Sequence, residues 1–265
     1  MNLHSTIRRI LNEETQKPKM LEFPSLEFFD NDHFEAWKII QKILERKGNP
    51  PYSIDGNLNF LGTPIESLGN LVSVGGYLNL GGTPIESLGN LQSVGGDLNL
   101  VGTPIESLGN LQSVGGSLDL TGTQIKSLGN LQSVGGDMYL AGTPIKSLGN
   151  LHSVGLDLYL HETQIESLEN LQSVGGKLDL NWSRIRSLGN LQSVGGGLDL
   201  EKTPIQSLGN LTSVGGYLDL RYSRIKSLGN LQSVGEFLDL RKTPLSKMYT
   251  REQIREMVNV AYIYL

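Results

Sequence analysis

The chain has 265 residues, a net charge of −5 and no cysteine, which excludes disulfides, thiolate metal ligands and cysteine nucleophiles together. Charge is unevenly spread: residues 57–125 carry five acidic side chains and no lysine or arginine, whereas residues 126–265 carry 14 basic and 13 acidic ones. Neither stretch makes the basic stripe that nucleic-acid binding needs, and no run of about 18 apolar residues is present to cross a membrane.

Residues 1–20 open with a helical pattern in which Leu3, Ile7, Ile10 and Leu11 share one side, and Lys17-Pro18-Lys19 separates them from the rest. This segment lacks the apolar core of a secretion signal; it reads as a further piece of the cap or, on a sharper reading, as a docking peptide or removable leader. The expected location is the cytoplasm, or a virion if the chain is phage-encoded. Residues 21–56 read as a helical N-terminal cap. Phe34, Trp37, Ile40, Ile43 and Leu44 form an apolar stripe, Asp32 with Glu35 suggests a capping box, and Gly48 stops the helix before Asn49-Pro50-Pro51.

From residue 57 the chain repeats every 20 residues, nine times to residue 236, and a partial tenth copy ends at Leu245. Such a period means a solenoid in which each coil leans on its two neighbours. Numbering each repeat from the residue before Leu-x-Leu, as in Asp97-Leu98-Asn99-Leu100, positions two and four point inward and one, three and five outward, as in a short strand. Positions nine, twelve, fifteen and eighteen (Ile105, Leu108, Leu111 and Val114) follow at spacings of three, which fits tight or extended turns and not a long helix. Six inward apolar residues per coil result. Thr or Ser at seven, Ser at eleven and seventeen, and Asn at fourteen read as internal ladders that satisfy turn backbone groups.

Residues 246–265 read as a helical C-terminal cap. Thr250 and Gln253 make a capping-box pattern, and Ile254, Met257, Val258 and Ala261 recur at helical spacing.

Leu98-x-Leu100-x-x-Thr103-x-Ile105 resembles the core of the leucine-rich-repeat superfamily, with Thr in place of the ladder Asn. Ser107-Leu108-x-Asn110-Leu111-x-Ser113-Val114-Gly115-Gly116 resembles its receptor L-domain and fungal cell-wall relatives. The resemblance covers about 190 of the 265 residues. It implies a mainly β, right-handed solenoid of about ten coils, curved or flat, used for ligand recognition, and it transfers no catalytic residue. Leu11-Asn12-Glu13 resembles the Leu-x-Glu sites cut by prohead proteases of large tailed phages. The near-identical copies are also similar to repeat proteins of phages and marine bacteria.

Function is expected where the copies differ. Position three runs through Tyr139, Tyr159, Asp179, Asp199, Asp219 and Asp239, and position one contributes Tyr217 and Phe237. Position five contributes His161, Arg221 and Arg241. Position six is Gly in the first five copies and then Glu162, Trp182, Lys202, Tyr222 and Lys242; a backbone demand for glycine would have kept it throughout, so the change is read as a surface effect. Exposed aromatics with arginine are what interaction hot spots use. These residues are expected to bind a protein partner in a non-enzymatic recognition or scaffold role. The four aspartates read as a salt-bridged ladder, with a cation or basic partner as the second reading. No catalytic, metal or cofactor residue is assigned. The alternatives are a structural virion or assembly component anchored through residues 1–20 and, as a minor one, ice binding through the Thr column.

Overall fold

The computed structural model describes residues 20–24 and 33–265. Within each coil positions two and three form one short strand, and positions seventeen and eighteen form another. Both pair in parallel with their equivalents one coil away. Leu98 faces Leu78 and Leu118 in one ladder, and Ser113 faces Ser93 and Ser133 in the other. A third side is joined at position eleven by single bridges, Ser107 with Ser127 and Ser127 with Ser147. The result is a mainly β parallel solenoid. The two continuous ladders repeat at about 4.8 Å per coil, and the third side is bridged between only some of the coils.

The six apolar positions line the interior. Leu98, Leu100, Ile105, Leu108, Leu111 and Val114 are each at most 1 % exposed, and the same holds along most of the stack. The polar positions divide the remaining backbone groups between them. The buried Thr103 hydroxyl donates to the Leu100 carbonyl of its own coil at 2.8 Å. Ser107 Oγ accepts from the Gly109 N–H, and the Asn110 amide crosses to the Gly89 carbonyl of the preceding coil. The Thr column is therefore internal, and it presents no hydroxyl array to solvent.

Position nineteen must be glycine for a different reason. A Cβ on Gly135 would run into the carbonyl oxygen of Gly115 in the coil below, and the clash recurs from Gly95 to Gly235. The bend between the two strands thus sets how closely successive coils approach.

The N-terminal cap joins the sheet. Strand β1 (Leu21–Phe23) pairs in parallel with β2 (Tyr52–Ile54), and β2 pairs with the first coil. Helix α1 (His33–Glu45) lies over that end. Trp37 sits between Tyr52 and Phe60, with ring centres 5.9 and 5.3 Å away. Ala36 and His33 are buried with it, while Phe34 and Ile43 are only partly covered. The His33 Nδ1 accepts the Asn59 N–H at 2.9 Å, occupying a donor that the first coil has no predecessor to satisfy. Left-handed Gly48 ends the helical turn as expected, with Asn49 N–H returning to the Leu44 carbonyl. Asp32, proposed for a capping box, lies outside the described residues, as do residues 1–19.

The C-terminal cap departs from the expectation of a single helix. The Thr250–Gln253 capping box is formed, but helix α2 (Arg251–Met257) ends after seven residues. Val258 is already extended, and Asn259–Tyr264 form a strand parallel to Ser233–Asp239. Ile254, Val258, Val260 and Ile263 are buried, whereas Met257 and Ala261, assigned to the apolar face of a helix, are exposed. Pairing with the open edge of the last coil outweighs helical spacing here, because an uncovered edge leaves a row of backbone groups unpaired.

Candidate functional site

The variable positions line up as columns on the strand that follows the glycine bend. Tyr139 pairs with Tyr159, Tyr159 with Asp179, and the register continues through Asp199 and Asp219 to Asp239 and then Tyr264. Phe237 at position one pairs with Tyr262 of the terminal strand.

The choice of Asn or Asp at position three has a local cause. In Asn99, Asp119, Asp199 and Asp219 the Oδ1 accepts the N–H of the residue two further on, turning the chain out of the strand. Tyr139 and Tyr159 give up this bond. Their rings stack 5.2 Å apart, nearly parallel, and each hydroxyl donates to the carboxylate two residues earlier, Asp137 and Asp157. The Asp157 bond, followed by partial burial, pushes the Tyr159 hydroxyl up to about 12. Tyr217 stacks on Phe237 at 5.4 Å, and its ring fills the space beside Gly197, where a side chain would collide with it.

The aspartate column is salt-bridged unevenly. Lys177 Nζ lies 3.0 Å from Asp179, and His161 Nδ1 is 3.8 Å from the same carboxylate. Arg221 reaches Asp219 at 2.6 Å, Glu201 at 3.0 Å and Asp239 at 3.7 Å, and Arg241 holds Asp239 at 2.6 Å. The hydrogen bond to Asp219 is the main reason the Arg221 guanidinium is held above its ordinary value. Asp179, Asp219 and Asp239 are buried beneath these cations. Asp199 is different. Among the described residues it has no cation partner, only the Glu201 N–H and the Asn181 amide at 3.4 Å. Burial, reinforced by Asp179 and Asp219 on either side, raises its carboxyl above the usual carboxylate range. Among the described residues no group of three or more His, Asp or Glu is placed to hold a metal ion.

Position six overturns the inference from sequence that its backbone makes no left-handed demand. Gly62 to Gly142 are left-handed at this position, and so are Glu162 (φ 60°), Trp182 (56°), Lys202 (56°), Tyr222 (57°) and Lys242 (62°). The cause is a tight turn within the coil: the position-seven N–H returns to the position-four carbonyl, Thr103 to Leu100, Ser183 to Leu180 and Thr243 to Leu240, which places position six third in the turn. The N–H of position six donates to the position-five carbonyl of the next coil, Gly102 to Thr121 and likewise Trp182 to Glu201. The turn fixes φ whatever the side chain, and five non-glycine residues bear the strain. Trp182 and Tyr222 project from this column, 58 % and 52 % exposed, with Lys202 between them.

One feature was missed from sequence. A shallow groove of about 770 Å³ runs over the Ser and Gly columns of positions seventeen and nineteen, from Ser153 to Ala261, and a second continues it back to Ile54. The absent Cβ at position nineteen carves it. Its lining hardly varies along its length, in contrast to the strand face.

Comparison with protein-family models, with curated proteins and with solved structures finds no match. Among the described residues no helix is long and apolar enough to cross a membrane.

Proposed function

We propose that this solenoid is a non-enzymatic recognition or scaffold protein that captures a protein partner on the strand face of its later coils. The observation that carries the reading is the position-six column. Glycine is the unstrained choice there and fills the first five copies, yet the next five hold Glu162, Trp182, Lys202, Tyr222 and Lys242 in left-handed backbone. Strain of this kind concentrates at functional positions because the surrounding structure sustains it. The residues kept at that expense include two exposed aromatics and two lysines, beside the Tyr139–Tyr159 stack and the Arg221 cluster. Buried Tyr, Trp and Arg anchors dominate protein interfaces.

Placement among the leucine-rich repeats belongs to the same proposal. The inward Leu-x-Leu strand and the buried Thr at the ladder position support it. The virion alternative turns on residues 1–20, of which only Met20 is described. The ice-binding alternative lacks an exposed Thr column.

The test is affinity capture with the wild-type chain and with W182G/Y222G/Y159N, which restores the residues of the early coils at all three positions. A partner identified by mass spectrometry should be lost from the triple variant and kept by E66Q in the first coil. Equal capture by the triple variant refutes the assignment of the face.

A further inference from the structure

A different face carries a charge pattern that fits a second copy of this chain. Position ten is exposed in all nine coils, and its backbone runs in a ladder: Lys126 N–H to the Glu106 carbonyl, Lys146 to Lys126, Arg186 to Glu166 and Lys226 to Gln206. Along this column the first three coils carry only acids, and the later ones are mainly basic. Two copies laid side by side and antiparallel, related by a two-fold axis through Lys146, bring coil one against coil nine and so on inward.

Every off-axis pairing is then favourable. Glu66 meets Lys226, Glu86 meets Gln206, Glu106 meets Arg186 and Lys126 meets Glu166. The inner two pairs interlock. Glu106 and Lys126 are already ion-paired at 2.7 Å within one chain, and Glu166 and Arg186 approach to 3.9 Å. In the antiparallel arrangement each such pair faces the other with signs alternating in both directions, making a four-charge checkerboard on either side of the axis. Arg184 and Arg224 at position eight add positive charge to the same half, and Pro64 and Pro104 lie opposite them. Only Lys146 meets its own equivalent, at the axis.

We infer that this chain forms an isologous antiparallel dimer through the position-ten face. A strip eight steps long at about 4.8 Å per coil spans roughly 38 Å, and one or two side chains wide it buries several hundred Å² per copy, at the low end of specific interfaces. Its contacts are exposed charges, so the dimer is weak and salt-sensitive. The position-six column is not consumed, and each copy keeps its recognition face.

Sedimentation equilibrium on the full chain tests this at about 0.02 M and about 0.5 M ionic strength, which bracket weak and strong screening. Expected is a monomer–dimer equilibrium that loosens on the order of tenfold or more at high salt. E106K and R186E should each weaken it by a similar factor, and E106K/R186E should restore it, because the swapped charges face each other only across the two-fold. Wild type mixed with K146E should favour the heterodimer over either homodimer. All of these side chains are exposed, and circular dichroism verifies that each variant folds. A monomer at both salts up to about 1 mM, or association indifferent to the charge reversals as end-to-end pairing of the terminal strands would be, overturns the proposal.

Discussion

The ammonium of Lys202 lies 3.9 Å from the centre of the Trp182 ring and 5.7 Å from that of Tyr222, and all three residues hold left-handed backbone. The coil spacing turns a strained column into a stack of alternating aromatics and cations, so part of the strain is offset by cation–π attraction, roughly 0.5–1 kcal/mol at exposed sites.

This relationship separates two substitutions that remove the same ring. W182A abolishes the cation–π contact and still forces a Cβ into left-handed backbone, whereas W182G relieves the backbone as well. The steric cost is about 1–2 kcal/mol, less glycine's greater freedom when unfolded. W182A should therefore melt below W182G by about 0.5–1 kcal/mol, or roughly 1–3 °C in a chain of this size. Calorimetric melts decide it. An alanine variant at or above the glycine variant would show that position six is not held left-handed in solution.

Glycines that look alike in the repeat should respond differently. Gly142 is left-handed with open space where a Cβ would go, so G142A should cost about 1 kcal/mol from backbone strain alone. Gly135 has ordinary backbone, but its Cβ would collide with the Gly115 carbonyl, so G135A must pry two coils apart. Its expected cost exceeds about 3 kcal/mol, in the range of disrupted cores. Urea titration of the two variants gives the order, and equal midpoints would refute the close-approach account.

Much of this architecture was legible because the solenoid is a sum of identical neighbours. The inward set Leu98, Leu100, Ile105, Leu108, Leu111 and Val114 follows from spacing alone, and so does the column joining Tyr159 to Asp179 and Asp199. Two features were hidden, each for its own reason. The left-handed turn at Trp182 is set within its own coil, where the Ser183 N–H returns to the Leu180 carbonyl, and the non-glycine residues at position six disguised it. The terminal strand, Asn259–Tyr264, forms because an open edge awaits it, against the helical spacing of Ile254, Met257, Val258 and Ala261. The ion pairs were legible as a class. That Arg221 serves three carboxylates while Asp199 has no cation among the described residues depends on side-chain reach and not on register.

Arg221 should accordingly be the costliest surface cation to remove. R221M keeps the aliphatic stem yet leaves the buried Asp219 carboxylate beside Glu201 and Asp239 without its guanidinium. Stripping one partner from a buried pair costs about 3–5 kcal/mol, and the one-third exposure of Arg221 reduces this to about 2 kcal/mol. D219N should cost less, and R221M/D219N should fall short of the sum by about 1 kcal/mol or more, since the second change removes the charge the first orphaned. Additive effects in a double-mutant cycle would mean that the two side chains do not interact in solution.

Asp199 supplies the opposite case, a charge whose removal should stabilise. Burial and the flanking Asp179 and Asp219 carboxylates raise its folded-state value above 3.8, so the folded chain binds its proton more tightly than the unfolded chain does. The contribution of such a group is complete below the unfolded-state value and is lost as pH rises through the folded one. At pH 7 the wild type has lost it. D199N removes the charge and keeps an Oδ1 to accept the Glu201 N–H, as Asn99 does for Val101 four coils before the aspartate run begins. D199N should therefore melt higher than wild type at pH 7, by a fraction of a kcal/mol after solvent screening, or about 1–2 °C. The advantage should shrink to nothing as the pH is taken below 3.8, where the wild-type carboxyl is protonated in both states. Thermal melts of the two proteins between about pH 3 and pH 8 measure it. A D199N variant less stable than wild type at neutral pH, or a difference that does not change with pH, would show that the Asp199 charge is favourably compensated in the folded chain.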